Sequence, residues 1–143
     1  MGAGFSGGKV LFGNAQFSGG TVSFMGTGFS GGEVGFRRAK FSGGIVSFMG
    51  ATFSGGTVSF MGARFSGGEV GFVHAKFSGG EVWFESEFTG GKVGFMGARF
   101  SGGTVDFSDA IDWSHPPEFN WDGMPPSAVK LPTRDAEAHT QSQ

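Results

Sequence analysis

With 30 glycines and 19 phenylalanines among 143 residues, and neither tyrosine nor cysteine, this chain sits far from ordinary globular usage, and each extreme closes off an architecture. The missing cysteine removes disulfides and cysteine-ligated zinc or iron–sulfur centres and fits a reducing compartment, while a net charge of −2 gives no electrostatic footprint for nucleic acid. No run of about 18 apolar residues spans a membrane and the opening MGAGFSGGKV lacks the apolar core of a signal peptide, so a cytoplasmic protein with no membrane or nucleic-acid partner is expected.

From the N-terminus the chain is periodic. FSGG or its variant FTGG recurs at Phe5, Phe17, Phe29, Phe41, Phe53, Phe65, Phe77, Phe88 and Phe100, twelve residues apart except for eleven between Phe77 and Phe88. The consensus is F-S-G-G-x-V-x-F-x-G-A-x. Its sixth position is valine throughout, from Val10 and Val22 to Val105. Its eighth is always phenylalanine: Phe12, Phe24, Phe36, Phe48, Phe60, Phe72, Phe84, Phe95 and Phe107. The period-two alternation of V-x-F and A-x-F predicts two short strands per repeat, each with one face inward. Gly-Gly between them supplies positive φ for a sharp corner. Glycine pairs at this density exclude helix, at about 1 kcal/mol per glycine.

Two closures compete. An antiparallel meander would leave a face of Phe and Val uncovered and would place methionine in a hairpin turn that demands positive φ. A β-solenoid closes its core on itself, so the chain is expected to be all-β: nine stacked coils of twelve residues, a rod of roughly 43 Å at about 4.8 Å per coil. The eighteen repeat phenylalanines and the valines form the expected core over residues 1–111. Residues 112–143 form a Trp/Pro-rich cap and tail. There Trp113, Phe119 and Trp121 are expected to cover the last coil, prolines to stop further pairing, and residues 134–143 to be disordered.

The variable positions face solvent. The fifth column mixes Lys9, Glu33, Glu69, Glu81 and Lys92 with threonine and isoleucine, and the twelfth carries Lys40, Arg64, Lys76 and Arg99. Ion pairs Arg64–Glu69 and Lys76–Glu81 are expected across the FSGG corner, each worth at most about 1 kcal/mol. In the ninth column Met25, Met49, Met61 and Met96, beside a seventh column of mostly glycine and serine, predict an apolar stripe open to close approach. That stripe is a candidate interface for the tail or a second molecule. The chain begins in mid-repeat, and an uncapped solenoid edge is prone to pair, which predicts a homo-oligomer through the N-terminal end. The lost residue at Phe84-Glu85-Ser86-Glu87-Phe88 predicts a tightened corner beside Trp83.

No catalytic constellation emerges, and no enzyme, cofactor or metal site is expected. His74, His115 and His139 lack metal spacing. Asp106, Asp109 and Asp112 read as a solubilising end, Gly90-Gly91-Lys92-Val93 lacks the Ser/Thr of a phosphate loop, and the calcium β-roll pattern is absent. The Thr-Val-Ser rows that suggest an ice-binding ladder are interrupted by Glu33, Ile45, Glu69, Glu81 and Lys92.

The A-x-F-S-G units, such as Ala51-Thr52-Phe53-Ser54-Gly55, resemble those of pentapeptide-repeat proteins, over residues 1 to about 111. That resemblance implies a right-handed four-sided β-helix with twenty residues per coil and no catalytic residues; some members of the family inhibit DNA gyrase by mimicking DNA. The phenylalanine steps here alternate seven and five rather than holding at five, and a twelve-residue coil is expected instead. The function expected is a non-enzymatic structural or protein-interaction scaffold, with a DNA-mimic inhibitor of a DNA-handling enzyme such as gyrase as the alternative.

Overall fold

A computed structural model describes residues 4–119, 121 and 125–132. Locally, V-x-F gives three-residue strands such as Thr57–Ser59, and the residues ending at the first phenylalanine give two-residue strands such as Thr52–Phe53. The strands stack in parallel into a β-solenoid whose coil has four sides. Face 1 stacks Gly4–Phe5, Gly28–Phe29, Thr52–Phe53, Lys76–Phe77 and Arg99–Phe100. Face 2 stacks Lys9–Leu11, Glu33–Gly35, Thr57–Ser59, Glu81–Trp83, Thr104–Asp106 and Val129–Lys130. Face 3 holds Gln16–Phe17, Lys40–Phe41, Arg64–Phe65 and Glu87–Phe88, and face 4 holds Thr21–Ser23, Ile45–Ser47, Glu69–Gly71 and Lys92–Gly94.

The coil is therefore twice as long as the repeat, which corrects the expectation of nine twelve-residue coils. Gly4 pairs with Gly28 and Thr57 with Glu81, a step of 24 residues, and the stack has about five levels. At about 4.8 Å per level the rod is roughly 24 Å long rather than 43 Å. The reason lies in the size of the core residue. A twelve-residue coil brings its two sides too close for phenylalanines on both. In the wider coil the eighth-position rings of successive repeats meet edge to face across the axis: Phe24 on Phe36 at 6.0 Å and 88°, Phe60 on Phe72 at 6.3 Å and 80°. The alternating steps of seven and five residues are its long and short sides. The four-sided section is the one that the pentapeptide-repeat resemblance implies, enlarged from twenty residues to 24.

Each inward column is a ladder. Phe53 stacks on Phe77 at 4.7 Å and 3°, and Phe60 on Phe84 at 4.8 Å and 3°. These rings are 0–1% exposed, as are the alanines of the eleventh column such as Ala51 and Ala63. The corners show why glycine recurs. A Cβ on Gly55, the first glycine of its pair, would lie 2.4 Å from the Ser30 carbonyl oxygen of the level before, and the second, Gly56, has φ 68°. At the x-Gly corners positive φ is also required, and Asn14, Arg38 and His74 adopt it at φ 62°, 59° and 59°.

At the shortened corner Ser86 takes the inward alanine's place. It is fully buried, and its hydroxyl donates to the Phe60 carbonyl at 2.5 Å. After the deletion the ladder step is 23 residues, Arg64 pairing with Glu87 and Phe65 with Phe88. The two ends of the stack differ. At the first level Phe5, Val10, Phe12, Phe17, Val22 and Phe24 are only partly buried. Beyond the last full level the chain traces one more irregular turn: Phe88 N–H donates to the Asp112 carbonyl (2.8 Å), Phe95 N–H to Glu118 (2.9 Å) and Val105 N–H to Ala128 (2.8 Å). In that turn Phe119 stacks on Phe95 at 5.1 Å, Trp121 on Phe119 at 4.2 Å, and Trp113 stands edge-on to Phe88 at 5.4 Å. Residues 134–143 and 1–3 lie outside the described residues.

Candidate interaction surfaces

Doubling the coil splits every outward column of the repeat into two, on opposite sides of the rod. The ninth column does not form one methionine stripe. Met25, Met49, Val73 and Met96 follow one another down the edge between faces 4 and 1, joined by Gly26 N–H to the Met49 carbonyl, Gly50 N–H to Val73 and His74 N–H to Met96. Met61 lies on the other edge, between faces 2 and 3, in the series Gly13, Arg37, Met61, Glu85. Ser23, Ser47 and Ser59 hold these corners by accepting from the backbone N–H of Met25, Met49 and Met61, each at 3.3 Å. The small residues beside the methionine ridge on face 4 are Ser23, Ser47, Gly71 and Gly94.

The charged columns divide likewise. Face 3 carries Gln16, Lys40, Arg64 and Glu87 in register, and face 1 carries Lys76 beside Arg99. Arg64 Nε pairs with Glu87 Oε1 at 3.3 Å, one level along the ladder and not across the FSGG corner to Glu69. The expected Lys76–Glu81 pair is likewise not formed: Lys76 lies between Thr52 and Arg99 on face 1, and Glu81 sits on face 2. A ladder neighbour at about 4.8 Å is nearer than a residue around the bend. Face 2 mixes signs, with Lys9, Glu33, Thr57, Glu81 and Thr104 in one row and Leu11, Gly35, Ser59, Trp83, Asp106 and Lys130 in the next. Because Gly35 and Gly13 have no side chain, a surface hollow of about 410 Å³ opens there, lined by Lys9, Leu11, Gly13, Glu33, Gly35, Arg37, Ser59 and Met61. A second hollow of about 380 Å³ lies around the corner among Gly13, Asn14, Arg37 and Arg38.

The carboxylates at the C-terminal end serve local turns. Asp106 Oδ1 accepts from the backbone N–H and hydroxyl of Ser108 (2.8 and 2.5 Å), and Asp112 Oδ1 from those of Ser114 (2.9 and 2.7 Å). Among the described residues no group of three or more His, Asp or Glu side chains is placed to hold a metal ion. No helix among them is long and apolar enough to cross a membrane. Trp83 and Ser86 both depart from the repeat consensus: Trp83 is legible as a tryptophan in a column of mostly glycine and serine, whereas the inward place of Ser86 shows only through the shortened spacing.

No family model and no curated protein matches the chain. Among solved structures, two trypsin-treated variants of QnrB1, a plasmid-mediated fluoroquinolone resistance protein, are similar to it. Their identities are 16% and 19% over 99% and 98% of this chain and 97% of each of theirs, with TM-scores of 0.25 and 0.20.

Proposed function

We propose that the protein is a non-enzymatic interaction scaffold that presents its outer rows to protein partners and associates with itself through the first level of the stack. The observation that supports this is the difference between the two ends. Rings such as Phe60 and Phe72 lie between two stacked neighbours, whereas Phe5, Phe12, Phe17 and Phe24 have a stacked partner on one side and are part-exposed. Among the described residues the first-level strands are paired on one side, and such an apolar edge is a template for another chain. Trp113, Phe119 and Trp121 cover the opposite end, which favours contact between two first levels and so a closed pair over an open fibre. The ridge of Met25, Met49 and Met96 is a second adaptable apolar surface, suited to a protein partner. A DNA-mimic inhibitor would need a continuous acidic face, and faces 1 to 4 carry mixed or basic rows; such an inhibitor would compete with DNA for an enzyme in a salt-sensitive way.

Replacing Phe12 and Phe24 together with lysine tests the end contact by sedimentation against concentration. The double variant is expected to associate at least about tenfold more weakly than the parent, with the melting of the inner levels retained, since stacked repeats depend on their nearest neighbours. Association equal to the parent's would refute the end contact.

A further inference from the structure

The edge between faces 2 and 3 is charged in two halves that complement one another. At its second level stand Arg37 and Arg38, with Lys40 beside them on face 3; at its fourth stand Glu85 and, on face 3, Glu87. Between them sits Met61, 37% exposed. A two-fold axis through the Met61 level, perpendicular to the stack, brings the second level of one copy against the fourth of another. Arg37 then faces Glu85 and Lys40 faces Glu87, twice each, and Met61 meets its own counterpart. Arg64, which falls on the axis, pairs with Glu87 of its own chain, so that Glu87 lies between its own Arg64 and Lys40 of the second copy.

The shape obeys the same operation. In the face 2 row next to this edge the smallest residue, Gly35, is at level two and floors the 410 Å³ hollow, while the largest, Trp83, is at level four. The two-fold axis sets Trp83 of each copy over the Gly35 hollow of the other. Three unfavourable meetings result: Glu33 with Glu81 and Leu11 with Asp106 on face 2, and Arg64 with its own counterpart on face 3. The like charges lie at the exposed surface, where solvent and salt screen them. We propose that this edge is an isologous, antiparallel side-by-side contact between two copies of the chain, with Trp83 as the knob and the Gly35 hollow as its socket. Charge and shape point to the same axis independently, and a contact that is its own complement closes at two. The proposal does not depend on the end contact.

The chain's symmetry supplies a test that no end contact imitates. Arg37→Glu and Glu85→Arg each place like charges at both copies of the contact, so each variant alone is expected to self-associate at least about tenfold more weakly than the parent. Mixed together, they restore opposite charges at both positions, and a one-to-one heterodimer is expected in analytical ultracentrifugation with one variant labelled. Gly35→Leu, where an added Cβ meets only the Leu11 side-chain end at 3.2 Å, is expected to fold normally and to block the socket. Parent-like association of both single variants, or a mixture that forms no heterodimer, overturns the proposal; loss of association only in the Phe12/Phe24 variant assigns the pairing to the coil end instead.

Discussion

Phe60→Ala is expected to lower the unfolding free energy by about 4 kcal/mol in urea titrations followed by circular dichroism, while Phe12→Ala loses about half as much. Phe60 is fully buried, with Phe36 and Phe84 stacked on its two faces at 4.9 and 4.8 Å and the edges of Phe48 and Phe72 at 6.2 and 6.3 Å. Truncating a buried phenylalanine ordinarily costs about 3–5 kcal/mol, because the transfer term and the unfilled cavity add. Here the ladders cannot collapse inward, since the hydrogen-bonded coils above and below fix the spacing. That range already contains the loss of the ring–ring contacts, each of which is worth about 0.5–1.5 kcal/mol. Phe12 has Phe36 stacked on one side only and edge contacts with Phe24, and it already touches solvent. Equal losses at the two sites would mean that the stack does not run from an open first level to a filled interior.

The second large effect concerns a residue with no side chain. Gly55→Ala is expected to cost about 3 kcal/mol, and Gly50→Ala about 1–2 kcal/mol, in the same assay. Gly55 needs no unusual φ; its added methyl would sit 2.4 Å from the Ser30 carbonyl oxygen and 3.1 Å from its carbon, backbone atoms that can move only by parting two levels. Overpacking of that kind costs about 1–3 kcal/mol even where side chains relax. Gly50 has the opposite character: φ is 69°, and nothing lies within 4 Å of an added Cβ. The left-handed conformation alone costs an L-residue about 1–2 kcal/mol, and Asn14, Arg38 and His74 tolerate it at the same corners. A reversed order, with Gly50→Ala the more damaging, would contradict the close stacking of the Gly-Gly corners.

The strands, the corners and the inward columns were all legible in the sequence, because each depends on chemistry within one repeat. Val58 and Phe60 alternate with outward neighbours, and Gly55-Gly56 can turn. The coil length was not legible, and for a physical reason. The two halves of a coil carry the same inward residues, so nothing at the level of Phe, Val and Ala distinguishes position 57 stacked on 45 from position 57 stacked on 33. What decides is the width needed for Phe60 and Phe72 to meet edge to face, a property of three-dimensional packing that no column displays. The coil length in turn sets which outward residues are neighbours. The methionines Met49 and Met61, adjacent in a column of the repeat, lie on different edges, and Arg64 finds Glu87 rather than Glu69. The charge reversal along the edge from Arg37 to Glu85 becomes visible only once residues 24 apart are placed in line.

Pairwise cysteine cross-linking tests that alignment most directly, because the chain has no cysteine of its own. Thr57 and Glu81 are ladder neighbours on face 2, whereas Ile45 is on face 4. Cysteines at positions 57 and 81 lie about 4.8 Å apart, inside disulfide range, and are expected to join within one chain under mild oxidant. Cysteines at positions 45 and 57 are expected to stay reduced. Rapid bridging of 45 to 57 with none between 57 and 81 would mean a twelve-residue coil and would contradict the four-sided solenoid.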